Sequence, residues 1–327
     1  MLVTGAAGYI GSVLVRQLLA AGYSVRGVDA LLFGGESLIE LLEHPRFEFR
    51  RADVRDASAM ADAVRGVQAV VHLAAVVGDP ACAQQPALAQ ETNHDASIEL
   101  HRLAGAAGVE RFVFASTCSN YGKSNAPNAF VSEVSELKPV SLYARTKVAV
   151  EEHLLGAPQR GCAPTCLRFS TVYGLSPRPR FDLTVNEFTR DLALGRELVV
   201  FGEQFWRPYC HVRDLARSVL AVMAADLGTV AYDVFNVGDS DENYRKQAIV
   251  AAILEQIPDA QVRYVAKDED PRDYRVSFEK IRDRVGFAIT RRVPDGIREI
   301  KDAVQMGIFA DPDHPRFGNV PAAAHGR

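Results

Sequence analysis

The sequence predicts an α/β protein built on a doubly wound parallel sheet, with a second, smaller α/β lobe. Three observations carry this. Short apolar runs alternate with helical patterns through the first half of the chain. Several of these runs are apolar at nearly every position, as in residues 67–75, which suits a parallel strand buried on both faces. A glycine triplet, Gly5, Gly8 and Gly11, separates the first such run from the first helical pattern.

Taken in order, Met1, Leu2 and Val3 open the first strand, and residues 12–22 carry leucine and valine at helical spacing with Gly22 as the stop. Between them, Gly5, Gly8, Tyr9, Ile10 and Gly11 form the turn. Strand, glycine turn and helix bring backbone N–H groups and a helix N-terminus against a pyrophosphate. A plain tight turn uses the same residues, so the distinction comes from the next strand. Residues 23–29 read as that second strand, ending in Asp29. The acid lies about 20 residues beyond the turn, where a carboxylate accepts hydrogen bonds from the adenosine ribose hydroxyls. A 2′-phosphate there would meet a like charge, so NAD is the expected cofactor rather than NADP.

Residues 47–54 give a third strand, with Asp53 placed for the adenine amino group and Val54 against the ring. A helix over 58–64 precedes the fourth strand, 67–75, whose Leu73, Ala74 and Ala75 leave room for a cofactor. His72 within that strand reads as structural rather than catalytic. A helix over 93–107 leads to a fifth strand, 111–117, ending in Ser116 and Thr117. Gly5, Asp29, Asp53, Ala75 and Thr117 all fall at carboxyl ends of strands, where this architecture binds its ligands. In the second half, 177–180 is a Pro/Arg loop, 181–194 a helix, 198–201 a strand, 211–224 a helix and 234–238 a strand. Helices are expected over 248–256 and 276–285, and a loosely held tail from 312 to 327. The expected division is a dinucleotide-binding domain over 1–170, with returns near 207–238, and a substrate lobe from 171–206 and 239–327.

Composition narrows the class. Of 327 residues, 48% are hydrophobic, which supplies a sizeable core. A net charge of −4 leaves no broad footprint for nucleic acid, although local arginines remain able to bind a small anion. No apolar run approaches the ~20 residues of a membrane helix, and the first residues enter a strand without a basic leader, so a cytoplasmic protein is expected. The five cysteines, Cys82, Cys118, Cys162, Cys166 and Cys210, are scattered and odd in number. They read as reduced thiols with no metal site.

The chemistry centres on Tyr143 and Lys147, four apart and so on one helix face. A phenol with an ordinary pKa near 10 is a poor base, and a neighbouring ammonium favours the phenolate. Lys147 also reaches toward the nicotinamide ribose. A Tyr/Lys pair at this spacing is common by itself. Here the glycine turn, Asp29, Asp53-Val54, His72-Leu73-Ala74-Ala75, Asn93, Ser116-Thr117 before Tyr121-Gly122, and Tyr143-x-x-x-Lys147 come in order along the chain. This set resembles the extended short-chain dehydrogenase/reductase family, in its nucleotide-sugar epimerase and dehydratase branch of UDP-glucose 4-epimerase-like proteins. The resemblance covers residues 1–240 and includes Leu167-Arg168-Phe169, Val172-Tyr173-Gly174 and the run from Arg207 to Asp214.

The resemblance implies a Rossmann fold, bound NAD, a nucleotide-diphosphate sugar substrate and a homodimer. It implies Tyr143 as acid/base, Lys147 as its activator and Thr117 as the group that hydrogen-bonds the reacting sugar oxygen. Asn93, Ser116 and Phe169 would border the nicotinamide half. Val77, Thr117, Cys118, Ser119 and Thr171 would border the sugar, and Asn186 and Arg207 the diphosphate. Arg272 is a second candidate diphosphate clamp, an ion pair being the alternative for both arginines. Two departures stand out. Dehydratases of this branch carry Asp-Glu after the catalytic Thr, where this chain has Cys118-Ser119, and 4-epimerases usually place Asn where it has Thr171. The expected activity is therefore epimerisation through transient oxidation at the sugar C4. A ketoreductase or dehydrogenase, a dehydratase using Cys118, and a non-catalytic NAD-binding redox sensor stand as alternatives.

Overall fold

Leu2–Thr4 (β1), Val25–Asp29 (β2), Phe47–Arg51 (β3), Ala69–His72 (β4), Arg111–Thr117 (β5), Ala163–Phe169 (β6) and Asp233–Val237 (β7) form one parallel sheet. The computed structural model describes residues 1–123, 129–156, 162–267 and 272–319. The strand order is β7-β6-β5-β4-β1-β2-β3, so the chain reverses direction between β1 and β4. At such a switch point the loops after neighbouring strands part and leave a crevice. Register keeps the strand ends level there, with Thr4 opposite His72 and Thr117 opposite Phe169.

The near-continuous apolar runs have a physical reason in the two-sided core. Successive side chains alternate faces. Val71 and Val113 enter one core with Val13, Leu14, Leu18, Leu215 and Val219 from helices Gly11–Ala20 and Val212–Ala224. Val70, Phe112 and Phe114 enter the opposite core with Met60, Leu100 and Leu154, the last two from helices Ala96–Ala106 and Leu142–Gly156. At about 25 cal/mol per Å² of apolar surface, each fully buried Leu or Val here contributes roughly 1.5–3 kcal/mol. The edge strand β3 departs from this pattern, and its exposed Glu48 is held by Arg26 at 2.8 Å.

The second lobe has its own small sheets. Trp206–His211 runs parallel to Thr171–Tyr173 and antiparallel to Asn243–Arg245, and Leu198–Phe201 pairs with Val262–Val265. Helices Thr184–Ala193, Lys246–Leu254 and Val293–Gln305 close over Tyr173, Val185, Ile249 and Ile297.

Several expectations change. Strand 206–211 pairs with Thr171–Tyr173 and Asn243–Arg245 rather than with the main sheet, which takes up the chain again at β7 after helix Val212–Ala224. The span 276–285 is not one helix. Val276 lies in a two-residue strand beside Val131, and the helix runs Glu279–Val285, ending at Gly286 with φ +70°. Helix Val293–Gln305 lies outside the expected elements, although Val293, Ile297, Ile300 and Val304 sit at helical spacing and are buried. The expected helix at 93–107 starts as a π-helical turn, Glu91–Asp95, before continuing as Ala96–Ala106. The tail is not loose over its described part. Phe317 is 6% exposed and packs edge-on against Phe181 and Phe309. Residues 320–327 of that expectation lie outside the described residues.

Candidate active site

The crevice begins at the glycine turn. Gly5 has φ +72°, and a Cβ there would come within 2.9 Å of the Ala74 nitrogen; a Cβ on Gly11 would overlap the Gly5 carbonyl oxygen. Only glycines let β1, the turn and helix Gly11–Ala20 pack this closely. Asp29, at the end of β2, accepts from Ala7 N–H at 3.0 Å and from Leu31 N–H at 2.8 Å. Burial raises its carboxyl pKa, and these two N–H groups partly offset that. Asp53 is committed to Arg55 at 2.7 Å, which holds its carboxyl low, and Arg55 also reaches Glu91 at 2.9 Å.

A cleft of about 410 Å³ runs past these groups. Gly5, Gly8, Tyr9, Ile10, Gly11, Asp29, Asp53 and Val54 line it, as do Leu73, Ala74, Ala75 and Val77. From the next strands and the Tyr143 helix come Ser116, Thr117, Ser119, Tyr143, Lys147, Phe169 and Thr171, and Arg272 joins them. The sequence-predicted residues therefore converge from several separate strand ends and one helix.

At the Tyr143 end, Lys147 Nζ donates to the Ala115 carbonyl at 2.8 Å, 4.6 Å from the Phe114 ring centre and 6.0 Å from that of Tyr143. Burial lowers its ammonium pKa to about 8. Burial pushes the Tyr143 phenol well above its usual range, against the pull of the Arg180 charge and a hydrogen bond with Thr117. The Lys147 ammonium is engaged by the Ala115 carbonyl and is itself desolvated, while burial dominates at the phenol. Thr117 Oγ1 accepts from Ser119 N–H at 3.1 Å. Ser116 Oγ donates to Glu151, which forms a buried pair with Arg168 at 2.7 Å.

Four expected residues do not line the cleft. Asn93 is buried with its amide spent on the Val76 backbone, accepting from N–H at 2.7 Å and donating to C=O at 2.9 Å. Cys118 points into the core, donating to the Arg168 carbonyl at 3.2 Å, and burial drives its thiol pKa far up. Its surroundings are those of a packing residue. Asn186 ties together Gly174, Tyr9 and Arg180 inside the protein. Arg207 donates to the Trp206 carbonyl at 2.7 Å and lies 5.6 Å from the Tyr274 ring; it is Tyr274 that lines the cleft. Arg272 does line it, while also pairing with Asp79 at 3.1 Å. His72 is structural, bonded to Thr4 at 2.7 Å and Ser97 at 2.9 Å.

The sequence reading missed Arg178, Arg180, Tyr274 and Asn319, which also line the cleft. Its one available signal was the pair of arginines in the loop Pro177-Arg178-Pro179-Arg180. The residues present fit a dinucleotide: the glycine cradle has no room for side chains, and the buried Nε of Arg178 has no partner among the described residues.

A model of the NAD dependent epimerase/dehydratase family matches residues 1–238. The UDP-glucuronate 4-epimerase of Thermodesulfobacterium geofontis is 30% identical over 252 residues, covering 72% of this chain and 74% of that protein. The dTDP-glucose 4,6-dehydratase of Streptomyces griseus is 31% identical over 313 residues, or 91% of each chain. The structure of a Thermus thermophilus UDP-glucose 4-epimerase in complex with NAD superposes with a TM-score of 0.79 at 27% identity, covering 93% of this chain and 98% of that one.

Proposed function

The chain belongs to the NAD dependent epimerase/dehydratase family, and on that premise we propose that it is a nucleotide-sugar epimerase oxidising its substrate transiently at C4, with NAD retained through the cycle. Bound NAD would supply the hydride acceptor and donor, and its ring charge would act against the burial that raises the Tyr143 phenol. Tyr143 Oη accepts the proton of the C4 hydroxyl as the C–H bond breaks, and gives it back to the oxygen when the ketosugar is reduced on its other face. Thr117 Oγ1 orients that oxygen. Lys147 Nζ, 6.0 Å from the Tyr143 ring centre, would add positive potential beside the phenol and hold the cofactor ribose. The apolar walls, Leu73, Ala75 and Phe169 among them, limit water at the reacting carbon.

One observation carries the choice of epimerisation. Thr117, Tyr143 and Lys147 share a cleft with the glycine turn and Asp29, while the position after Thr117 offers no acid/base pair for removing water. Cys118 is in the core and Ser119 is a hydroxyl. The test is turnover of a panel of nucleotide sugars in deuterated water, monitored by mass spectrometry and NADH absorbance. Isomerised product without carbon-bound deuterium, and without accumulated NADH, is the expected result. Net NADH with a ketosugar would replace epimerase by dehydrogenase, and solvent deuterium at carbon would replace it by dehydratase.

A further inference from the structure

The loop after strand Thr171–Tyr173 carries an arginine that the proposed chemistry does not use. Arg178 lies between Pro177 and Pro179, and each proline restricts its own φ and the residue before it. Three contacts tie this loop to the glycine turn. Tyr9 Oη donates to the Gly174 carbonyl, Ser176 Oγ donates to the Tyr9 carbonyl at 2.7 Å, and the hydroxyls of Ser12 and Ser176 lie 3.1 Å apart. Ser176 Oγ also accepts from Arg178 N–H at 3.2 Å. Arg178 is thus carried by the contacts that fix the start of helix Gly11–Ala20.

Its guanidinium stands 4.3 Å from the centre of the Phe33 ring at the Asp29 end of the cleft. Nη2 donates to the Gly318 carbonyl at 2.7 Å, and the buried Nε has no partner among the described residues. The residue is only 7% exposed and forms no ion pair among the described residues. Arg180, two positions on, is satisfied by both oxygens of Asp182. Asp29 is already engaged by two backbone N–H groups. Burial, with the charge of Arg180, pulls Arg178 down to about 10. A desolvated guanidinium on the wall of the cleft, with no carboxylate in hydrogen-bond contact among the described residues, is arranged for an anion.

We infer that Arg178 is a cofactor-binding residue whose guanidinium pairs with the diphosphate of the dinucleotide and, through Gly318, hooks the C-terminal segment over the cleft. The inference rests on NAD being the cofactor, not on which sugar reaction it serves. Asn319 continues the strap to the far wall, its Nδ2 donating to the Val77 carbonyl at 2.8 Å. Arg178, Val77 and Asn319 all line the cleft, so the strap crosses its mouth. A 2′-phosphate would use the same guanidinium chemistry, but the Asp29 carboxylate stands against it.

The test is NADH fluorescence titration of the full chain, with competition by ADP-ribose, 2′-phospho-ADP-ribose and adenosine, for the unaltered protein, Arg178→Ala and Arg178→Lys. In Arg178→Ala, NADH and ADP-ribose should bind about 10–100-fold more weakly, the loss expected for a charge-assisted hydrogen bond. Uncharged adenosine should be unaffected, and Arg178→Lys should recover part of the loss. ADP-ribose binding unchanged in Arg178→Ala, or adenosine losing as much as ADP-ribose, overturns the inference. A preference of the unaltered protein for 2′-phospho-ADP-ribose that Arg178→Ala abolishes overturns the diphosphate assignment. If the unaltered protein fails to bind NADH at all, the cofactor assignment falls first.

Discussion

Tyr143 and Lys147 share a helix face, yet burial acts on both in the direction that removes their charge. Replacing Tyr143 by Phe deletes the proton acceptor while keeping the ring, so turnover should fall about 10²–10⁴-fold with the thermal transition unchanged. Steady-state rates beside a melting curve check this. With Lys147 lowered to about 8, its ammonium begins to lose its proton above that pH, well below an ordinary lysine. The pH profile of kcat/KM should therefore bend downward near pH 8; a flat profile to about pH 9.5 would remove Lys147 charge from the rate. Cys118→Ala leaves every cleft-lining group in place and should keep turnover within about threefold, at a packing cost of about 1 kcal/mol. A larger loss of rate than of stability would return Cys118 to the chemistry. The identities and spacing of Tyr143, Lys147 and Thr117 were legible in the sequence. Their protonation was not, because burial is a property of the surroundings.

The glycine turn and the buried pair behind β5 show what an element can and cannot announce. Gly11→Ala places a methyl on the Gly5 carbonyl, and backbone has no rotamer with which to yield. It should cost about 1–3 kcal/mol or more and abolish NADH binding, measured by denaturation and fluorescence titration. Arg168 and Glu151 are 5% and 2% exposed at the side chain, and Ser116 and Asn120 also bond Glu151. Removing one partner strands a buried charge, so Glu151→Ala should destabilise the fold by about 3–5 kcal/mol in urea unfolding. Glycine spacing is readable because only glycine fits such a turn. The partner of Arg168, by contrast, lies 17 residues away on a helix whose docking the local pattern does not encode. Helix Val293–Gln305 shows the other limit. Its spacing was visible, but the lobe core that it completes is assembled from segments far apart in the chain, Tyr173 and Ile297 among them.

Across the whole molecule, His72 stands on the Phe112 and Phe114 side of the sheet, fully buried and held by Thr4 and Ser97. Burial lowers its pKa to about 3, against 6.5 when unfolded, so the unfolded chain binds more protons between these values. Stability is therefore full above pH 6.5 and is lost as pH falls toward 3. The loss should reach about 2 kcal/mol by about pH 5 from this group alone. Comparing urea unfolding at about pH 7 and about pH 5 for the unaltered protein and His72→Gln isolates it: the variant should lack this share of the pH dependence. By itself, the sequence determined the doubly wound sheet, the dinucleotide turn, the acid at the end of β2 and the Tyr/Lys pair. These depend on short-range constraints: strand and helix periods, glycine geometry, and a fixed number of residues per turn. Tertiary structure alone decided that Cys118, Asn93 and Asn186 face inward, that strand 206–211 joins the second lobe, and that Ser176 ties the Arg178 loop to the glycine turn with Gly318 on the Arg178 guanidinium. Such pairings are made by the packing of distant segments, and no local period records them.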